Sequence, residues 1–316
     1  MSEPEVFPHL NRDLQDISRG FQHSSADPFF TSMKKYKDTH YKLFLHKPGL
    51  PSGSVRICFF TDLHNCCSPR EQQQIFDLLK KNQPDLLLCG GDSIIGKPGY
   101  PVEPAARFLT RLAEEWASSH TEGDPAGNLF VAMGNHEYRT RIYPEVYGDM
   151  YPCFLKAINK SGHIRLLQNE AISFTIRNLP IRICGFSMDR RYYGRIHHQP
   201  LPVSALSDIF GEIPPADHLS ILLAHNPSAL NTYLQWGADL TLCGHYHGGI
   251  IRFGKHTGLI SPDLGLFTGK AYGLFQKDGK SVIVSSGCGE HTIPVRINNP
   301  REIVTVVIHV NENSQS

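Results

Sequence analysis

Seven side chains able to bind a divalent metal, Asp62, His64, Asp92, Asn135, His225, His245 and His247, fall in five short motifs. The motifs read Asp62-Leu63-His64, Gly91-Asp92, Gly134-Asn135-His136-Glu137, Ala224-His225-Asn226-Pro227 and Gly244-His245-Tyr246-His247. Their donors are carboxylate, imidazole and amide oxygen, which suit hard or borderline ions with five or six ligands. The set is too large for one tetrahedral zinc. It suits two ions that share a ligand, and the chemistry of such a pair is in-line hydrolysis of a phosphate ester. A bridging carboxylate holds the ions roughly 3.5–4 Å apart, so that both grip one phosphoryl group, and water between them loses a proton near neutral pH.

Such ligands work only if the fold gathers them, and the apolar pattern shows how it does. Each motif directly follows a strand-like run, at residues 55–60, 85–89, 129–132, 219–224 and 239–243. Further strands are predicted at 41–45, 164–167, 171–177, 181–184 and 302–310, and at 272–276 and 281–285 around the turn Lys277-Asp278-Gly279-Lys280. Ser68-Pro69-Arg70-Glu71 is a capping box with proline at the first helical position, opening a helix through residue 81 with Ile75, Leu78 and Leu79 on its apolar face. A second helix is expected over 105–118, and a third from Asn226-Pro227 to Gly237. Alternation of strand and helix predicts an α/β fold, in which ligands collect at the carboxyl ends of the strands. Scattered surface histidines would not fall after a strand five times.

Composition narrows the partners. The 316 residues carry 31 basic and 30 acidic side chains, so no global field draws the protein onto nucleic acid, and no nucleic-acid partner is expected. The 8 cysteines form no CxxC knuckle, and Cys58, Cys89, Cys184, Cys243 and Cys288 lie in or beside apolar runs, which suggests a reduced, cytoplasmic thiol set. Cys66 and Cys67 are read as bystanders beside the first motif. No apolar run reaches the roughly 18 residues of a membrane span, although peripheral membrane contact stays open. Residues 1–38 read as an N-terminal extension with a short helix marked by Leu10, Leu14, Ile17 and Phe21, followed by one domain over 39–316.

In these five motifs the chain resembles the calcineurin-like metallophosphoesterases, over about residues 40–310. Val284-Ser285-Ser286-Gly287 and Pro300-Arg301-Glu302-Ile303 are similar to a bacterial phosphodiesterase-like subgroup. The resemblance implies a four-layer α/β/β/α sandwich of the metallo-dependent phosphatase type. It implies one ion held by Asp62, His64 and His247, a second by Asn135, His225 and His245, and Asp92 bridging them. It also implies that a hydroxide shared by the ions attacks phosphorus, and that His136, not a ligand, contacts the phosphate as an imidazolium and assists the leaving group. Manganese is the first choice for the pair of divalent ions, with Fe²⁺ and Zn²⁺ close behind. Departures narrow the class. Asp92 is followed by Ser-Ile-Ile-Gly rather than the Val-Asp-Arg-Gly pattern of protein Ser/Thr phosphatases, and Ile95 stands where purple acid phosphatases carry tyrosine.

The expected reaction is therefore phosphodiester or pyrophosphate hydrolysis on a small-molecule or lipid-linked ester. A sugar-nucleotide pyrophosphatase acting on a UDP-diacylglucosamine-like lipid precursor and a catalytically silent metal-binding module stay open. Asn65 is a candidate substrate contact, with a loop-capping role as the alternative. Arg190 and Arg191, in the loop 188–202, are candidates for orienting a phosphate, with a solvated loop as the alternative. The Gly-rich stretch 259–274 is read either as a lipid-chain pocket or as core packing. Glu137 is expected to support ligands or begin a helix rather than bind metal.

Overall fold

Strand alternation sorts the apolar runs onto two faces, and the computed structural model shows where each face goes. It describes residues 35–66, 68–193, 199–213, 217–249, 251–253, 256–259, 269–290 and 296–312. In chain order the first half contains β1 (Lys37–Leu45), β2 (Gly53–Phe60), α1 (Pro69–Asn82), β3 (Leu86–Cys89), α2 (Glu103–Ala117), β4 (Leu129–Ala132), α3 (Asn135–Ile142), α4 (Pro144–Tyr147) and α5 (Met150–Ile158). Next come β5 (Ile164–Leu167), β6 (Glu170–Ile176), β7 (Leu179–Phe186), α6 (Ser204–Phe210), β8 (Leu219–Ala224), α7 (Leu230–Trp236) and β9 (Leu240–Cys243). The chain closes with β10 (Ile251–Phe253), β11 (Thr257–Leu259), β12 (Gly273–Lys277), β13 (Lys280–Val284) and β14 (Glu302–Val310).

One sheet has the order β1-β14-β2-β3-β4-β5, a second β12-β13-β9-β8-β7-β6, and β10 pairs with β11 alone. In β3, Leu86 and Leu88 face inward with Ile57, Phe59 and Phe130. There they meet Ile181, Ile183, Ile221, Leu223, Leu240 and Leu242 of the second sheet. The intervening Leu87 and Cys89, with Cys58 and Phe60, turn outward onto Ile75 of α1, Phe108 and Leu112 of α2 and Phe154 of α5. On the other side Cys184, Phe186, Leu222 and Ala224 pack on Leu206 and Phe210 of α6 and Leu230 and Tyr233 of α7. Helices, sheet, sheet and helices make four layers, as the resemblance implies. Central strands buried on both faces need near-continuous apolar sequence, which is why their runs were legible.

The capping box forms: Ser68 N–H donates to Glu71 Oε2 at 2.9 Å, and Glu71 N–H donates to Ser68 Oγ at 3.4 Å. Strand β1 begins at Lys37 rather than 41, because its polar first residues pair in parallel with β14, Lys37 opposite Glu302. Edge pairing of that kind needs no apolar side chains. Helices α4 and α5 went unpredicted; Pro152 obscures the spacing of Met150, Phe154 and Ile158, which are buried against α2. Strands β10 and β11 lie in or beside the stretch read as apolar and Gly-rich, most of which, 260–268, is outside the described residues. The expected helix within 1–38 also lies outside them. No helix among the described residues is long and apolar enough to cross a membrane.

The sandwich is tied at the end of β9 remote from its metal motif. Buried Lys47 Nζ donates to Asp239 Oδ2 at 2.6 Å and to His218 O at 2.7 Å, while Lys280 Nζ reaches Asp239 Oδ1 at 2.8 Å. Burial alone would raise the Asp239 carboxyl, but hydrogen bonds from Lys280 and Lys47 outweigh it and hold the group below its ordinary value. Asp239→Ala strands the Lys47 ammonium and is expected to cost about 3–5 kcal/mol in urea unfolding. The contribution of a carboxylate lowered in this way is fully present above its unfolded value of about 3.9 and fades as pH falls through the lower folded value. An unfolding free energy within about 0.5 kcal/mol of wild type would contradict this account.

Candidate metal centre

The five strand ends β2, β3, β4, β8 and β9 release their motifs along one edge of the sandwich. Backbone bonds lock the loops together. Asp62 N–H donates to Gly91 O at 2.9 Å, His64 N–H to Asp92 O at 3.0 Å and Gly244 N–H to His225 O at 2.9 Å. The two sheets are joined where His245 N–H donates to Asp62 Oδ1 at 3.0 Å. Asp62, Asp92, His225, His245 and His247 are all buried.

The turns that aim these side chains are strained. Asp62, His64, Asp92, His245 and His247 have φ of 55°, 44°, 51°, 68° and 49°, in the left-handed region that costs non-glycine residues of order 1–3 kcal/mol each. Glycine is required beside them. A Cβ on Gly134 would collide with Asp92 Oδ1, and one on Gly91, at φ 96°, with the backbone nitrogen of Gly134. Without side chains there, the loops after β3 and β4 touch, and Asp92 sits between them.

Glu137 supports this contact rather than joining the cluster. Its buried carboxylate accepts from Asp92 N at 2.9 Å, Ser93 N at 2.7 Å, Ile94 N at 3.2 Å and Gly134 N at 3.0 Å. Burial, followed by the charge of Asp92, pushes its carboxyl up to about 7.

Donor atoms converge on the two aspartates. Asp62 Oδ1 lies 3.4 Å from His247 Nε2, 3.8 Å from His225 Nε2 and 4.0 Å from His64 Nε2. Asp92 Oδ2 lies 3.1 Å from His225 Nε2, 3.8 Å from His136 Nε2 and 3.9 Å from His64 Nε2. His64 Nε2 and His247 Nε2 are 3.1 Å apart. Among the described residues three groups are close enough to hold an ion: Asp62, His64 and His247; Asp92, His225 and His245; and His64, Asp92 and His136.

Two observations test whether these residues suit a cation. His225 Nδ1 lies 2.9 Å from Gly90 O, a carbonyl that can only accept, so Nδ1 carries the proton. In the neutral ring the Nε2 lone pair then faces Asp92 Oδ2 and Asp62 Oδ1, an acceptor against acceptors. The conflict is relieved by a proton or a metal ion at Nε2. Burial opposes charge on this ring, yet Asp92 and Asp62 outweigh burial and raise it to about 10. Independently, Asn135 Oδ1 is buried with no hydrogen-bond partner, which is rare for an amide oxygen unless an ion or water completes it. The residues fit divalent metal.

His136 differs from the others. Its side chain is 18 % exposed, against 10 % for His64 and 1 % for His225. Gly96 N–H donates to its Nδ1 at 2.8 Å, so the proton of the neutral ring sits on Nε2. Burial holds the ring well below the ordinary histidine value. With Nδ1 accepting this bond, the geometry favours the neutral ring with its proton on Nε2, where the imidazolium was expected from sequence.

Each of the candidate substrate contacts has a neighbour of its own. Asn65 Nδ2 donates to Pro101 O at 2.8 Å, the loop-capping role that sequence held as its alternative. Exposed Arg190 lies with its guanidinium carbon 4.9 Å from the Tyr143 ring centroid, and Arg191 Nε is 3.5 Å from Asp189 Oδ1. Their loop reaches the ligand cluster through Tyr193, whose ring meets His245 edge-on at 5.9 Å. Cys66 lies apart from the three ligand groups, Cys67 falls outside the described residues, and the seven described cysteines are free. Sequence reasoning missed Arg296 and Asn299, which touch the His247 loop from beyond β13. The signal was available: β13 ends on Ser285-Ser286-Gly287, small residues like those ending the ligand-bearing strands.

Comparison with known proteins agrees with this geometry. A metallophosphoesterase of Aquifex aeolicus without assigned function is 27% identical over 294 residues, covering 90% of this chain and 95% of its own. The Bacillus subtilis protein YpbG is 24% identical over 285 residues, covering 90% of this chain and 92% of its own. Escherichia coli phosphodiesterase YaeI is 26% identical over 172 residues, covering 54% of this chain and 52% of its own. The sequence profile named calcineurin-like phosphoesterase matches residues 55–249, which contain all five motifs, and the chain belongs to that family.

Proposed function

We propose that the protein is a dinuclear metal-dependent phosphoesterase that hydrolyses phosphodiester or pyrophosphate bonds. The observation that carries this reading is the position of Asp92 Oδ2. One carboxylate oxygen lies within 4 Å of His64 from one ligand group and of His225 from the other, as a bridging atom must. Asp62, His64 and His247 would hold one ion, Asn135, His225 and His245 the other, with Asp92 shared. Two divalent ions, Mn²⁺ first, would supply a polarised phosphoryl group and an acidified water.

The chain's own residues do the rest. Asp62 and Asp92 carry the only carboxylates in the three ligand groups, and they leave two divalent cations incompletely neutralised, so the site attracts an anionic ester. His136 holds an Nε2–H where the cluster opens, placed to donate to a phosphoryl or departing oxygen. Glu137 and the bond from Gly96 keep that donor and Asp92 in fixed relation, so little reorganisation accompanies the reaction. The name of the Escherichia coli relative favours diesters over monoesters.

The test combines metal analysis with a substrate panel. Protein loaded with Mn²⁺, Zn²⁺ or Fe²⁺ is assayed on bis(p-nitrophenyl) phosphate, p-nitrophenyl phosphate and a nucleotide-sugar. Diester turnover with about two ions per chain is expected. Turnover of the nucleotide-sugar alone would move the reading to a pyrophosphatase. Two bound ions with no turnover on any ester would reduce the protein to a metal-binding module.

A further inference from the structure

Two segments beyond the profile match, residues 285–290 and 296–302, close on the ligand loops of both sheets. Cys288 N–H donates to Thr61 O at 2.9 Å and Gly289 N–H to Asp62 O at 2.6 Å, which holds the first motif. Buried Arg296 donates from Nη2 to Gly289 O and lies 3.3 Å from His247 Nδ1. Arg301 in turn joins Glu290 to Glu71 on α1.

Asn299 is the centre of the second contact. Its side-chain amide, 2 % exposed, donates to His247 O at 2.5 Å and to Gly249 O at 2.6 Å. His247, Gly248 and Gly249 have φ of 49°, 70° and 74°, three left-handed residues in succession. In this turn the carbonyls of His247 and Gly249 both converge on the two N–H groups of a single amide. Gly248 leaves no room for a side chain there, since a Cβ would strike Asn299 Oδ1. A left-handed conformation at histidine persists only where surrounding bonds over-determine it, and this amide provides two of them.

We propose that Asn299 is a positioning residue for the metal centre: by clamping the carbonyls on either side of Gly248 it fixes His247 in its ligating conformation. A segment outside the matched profile thereby sets affinity at the Asp62–His64–His247 subsite. The proposal rests on His247 being a ligand, and the experiment separates the two. Metal-free wild type, His247→Ala and Asn299→Ala are titrated with Mn²⁺, following the free ion by electron paramagnetic resonance, so that two binding steps are resolved.

His247→Ala is expected to lose one step. Asn299→Ala is expected to retain both, with that same step weakened about 10–100-fold and the other unchanged. Wild-type binding in His247→Ala would overturn the ligand assignment and the proposal with it. Loss of a step in His247→Ala but wild-type binding in Asn299→Ala would overturn the positioning role alone. Equal weakening of both steps in Asn299→Ala would mark a general structural bond and also overturn it. If Asn299→Ala does not fold, Asn299→Ser keeps one donor, and a smaller weakening confined to the same step is the supporting result. Unselective or absent weakening in Asn299→Ser overturns the proposal.

Discussion

Asp92→Asn is expected to abolish metal binding and turnover together. The substitution keeps the shape of the side chain, and its Oδ1 can still accept from His136 N–H, a bond of 2.8 Å in the wild type. What disappears is the negative charge that the proposed pair of cations would share, beside the His225 ring. Burial would raise the Asp92 carboxyl, but the His225 ring, by charge and by hydrogen bond, is the foremost of the groups that hold it well below the ordinary carboxylate value. The site is therefore built around an ionised oxygen at this position. A neutral amide would leave the mutual repulsion of two such ions uncompensated. A fall in turnover of at least about 1000-fold corresponds to about 4 kcal/mol of lost transition-state stabilisation. Elemental analysis of the purified variant is the direct check; normal occupancy by two ions would refute the bridging role.

His136→Ala should give the opposite pattern, with metal retained and turnover reduced about 10²–10⁴-fold, the range for removing a proton donor. His136 lies 3.8 Å from Asp92 Oδ2, close enough that geometry alone also permits it as a ligand with His64 and Asp92. The bond from Gly96 N–H occupies Nδ1, so only Nε2 faces the centre, and ligation there would remove the proton available for donation. Metal content decides between the roles. Loss of an ion in His136→Ala would reassign it as a ligand; full occupancy with slow turnover would fit the donor. The substitution removes neither of the bonds that hold Asp92 N–H and Gly134 N–H on Glu137, so the loop frame survives it.

Much of the fold was legible because it is written in local periodicity. The strands Leu129–Ala132, Leu219–Ala224 and Glu302–Val310 fall where the apolar runs predict them, since strands buried between layers tolerate little else. The start of β1 was not legible, because an edge strand is held by backbone pairing with β14, and that pairing leaves no apolar trace in Lys37–His40. Helix α5 was obscured by Pro152, although Phe154 and Ile158 carry the core-facing spacing. The ligand motifs were readable for a related reason: each needs a tight turn directly after a strand, so glycine and a metal-binding residue recur together.

Sequence by itself determined the inventory of donors, their place at strand ends, and hence the family and its metal chemistry. Only the tertiary structure decided which of these groups meet. Sheet order brings β8 and β9 against β2 and β3, so that Asp62 meets His245 N–H and Asp92 Oδ2 meets His225, across separations in sequence that no local pattern encodes. The same long-range packing put Gly96 N–H on His136, gave Asn65 to a loop carbonyl, kept Arg190 and Arg191 on neighbouring side chains, and laid Asn299 against the His247 loop. A chain's periodicity specifies which face of an element is apolar; which polar groups then face one another depends on the register and stacking of sheets, contacts formed only when distant segments are packed together.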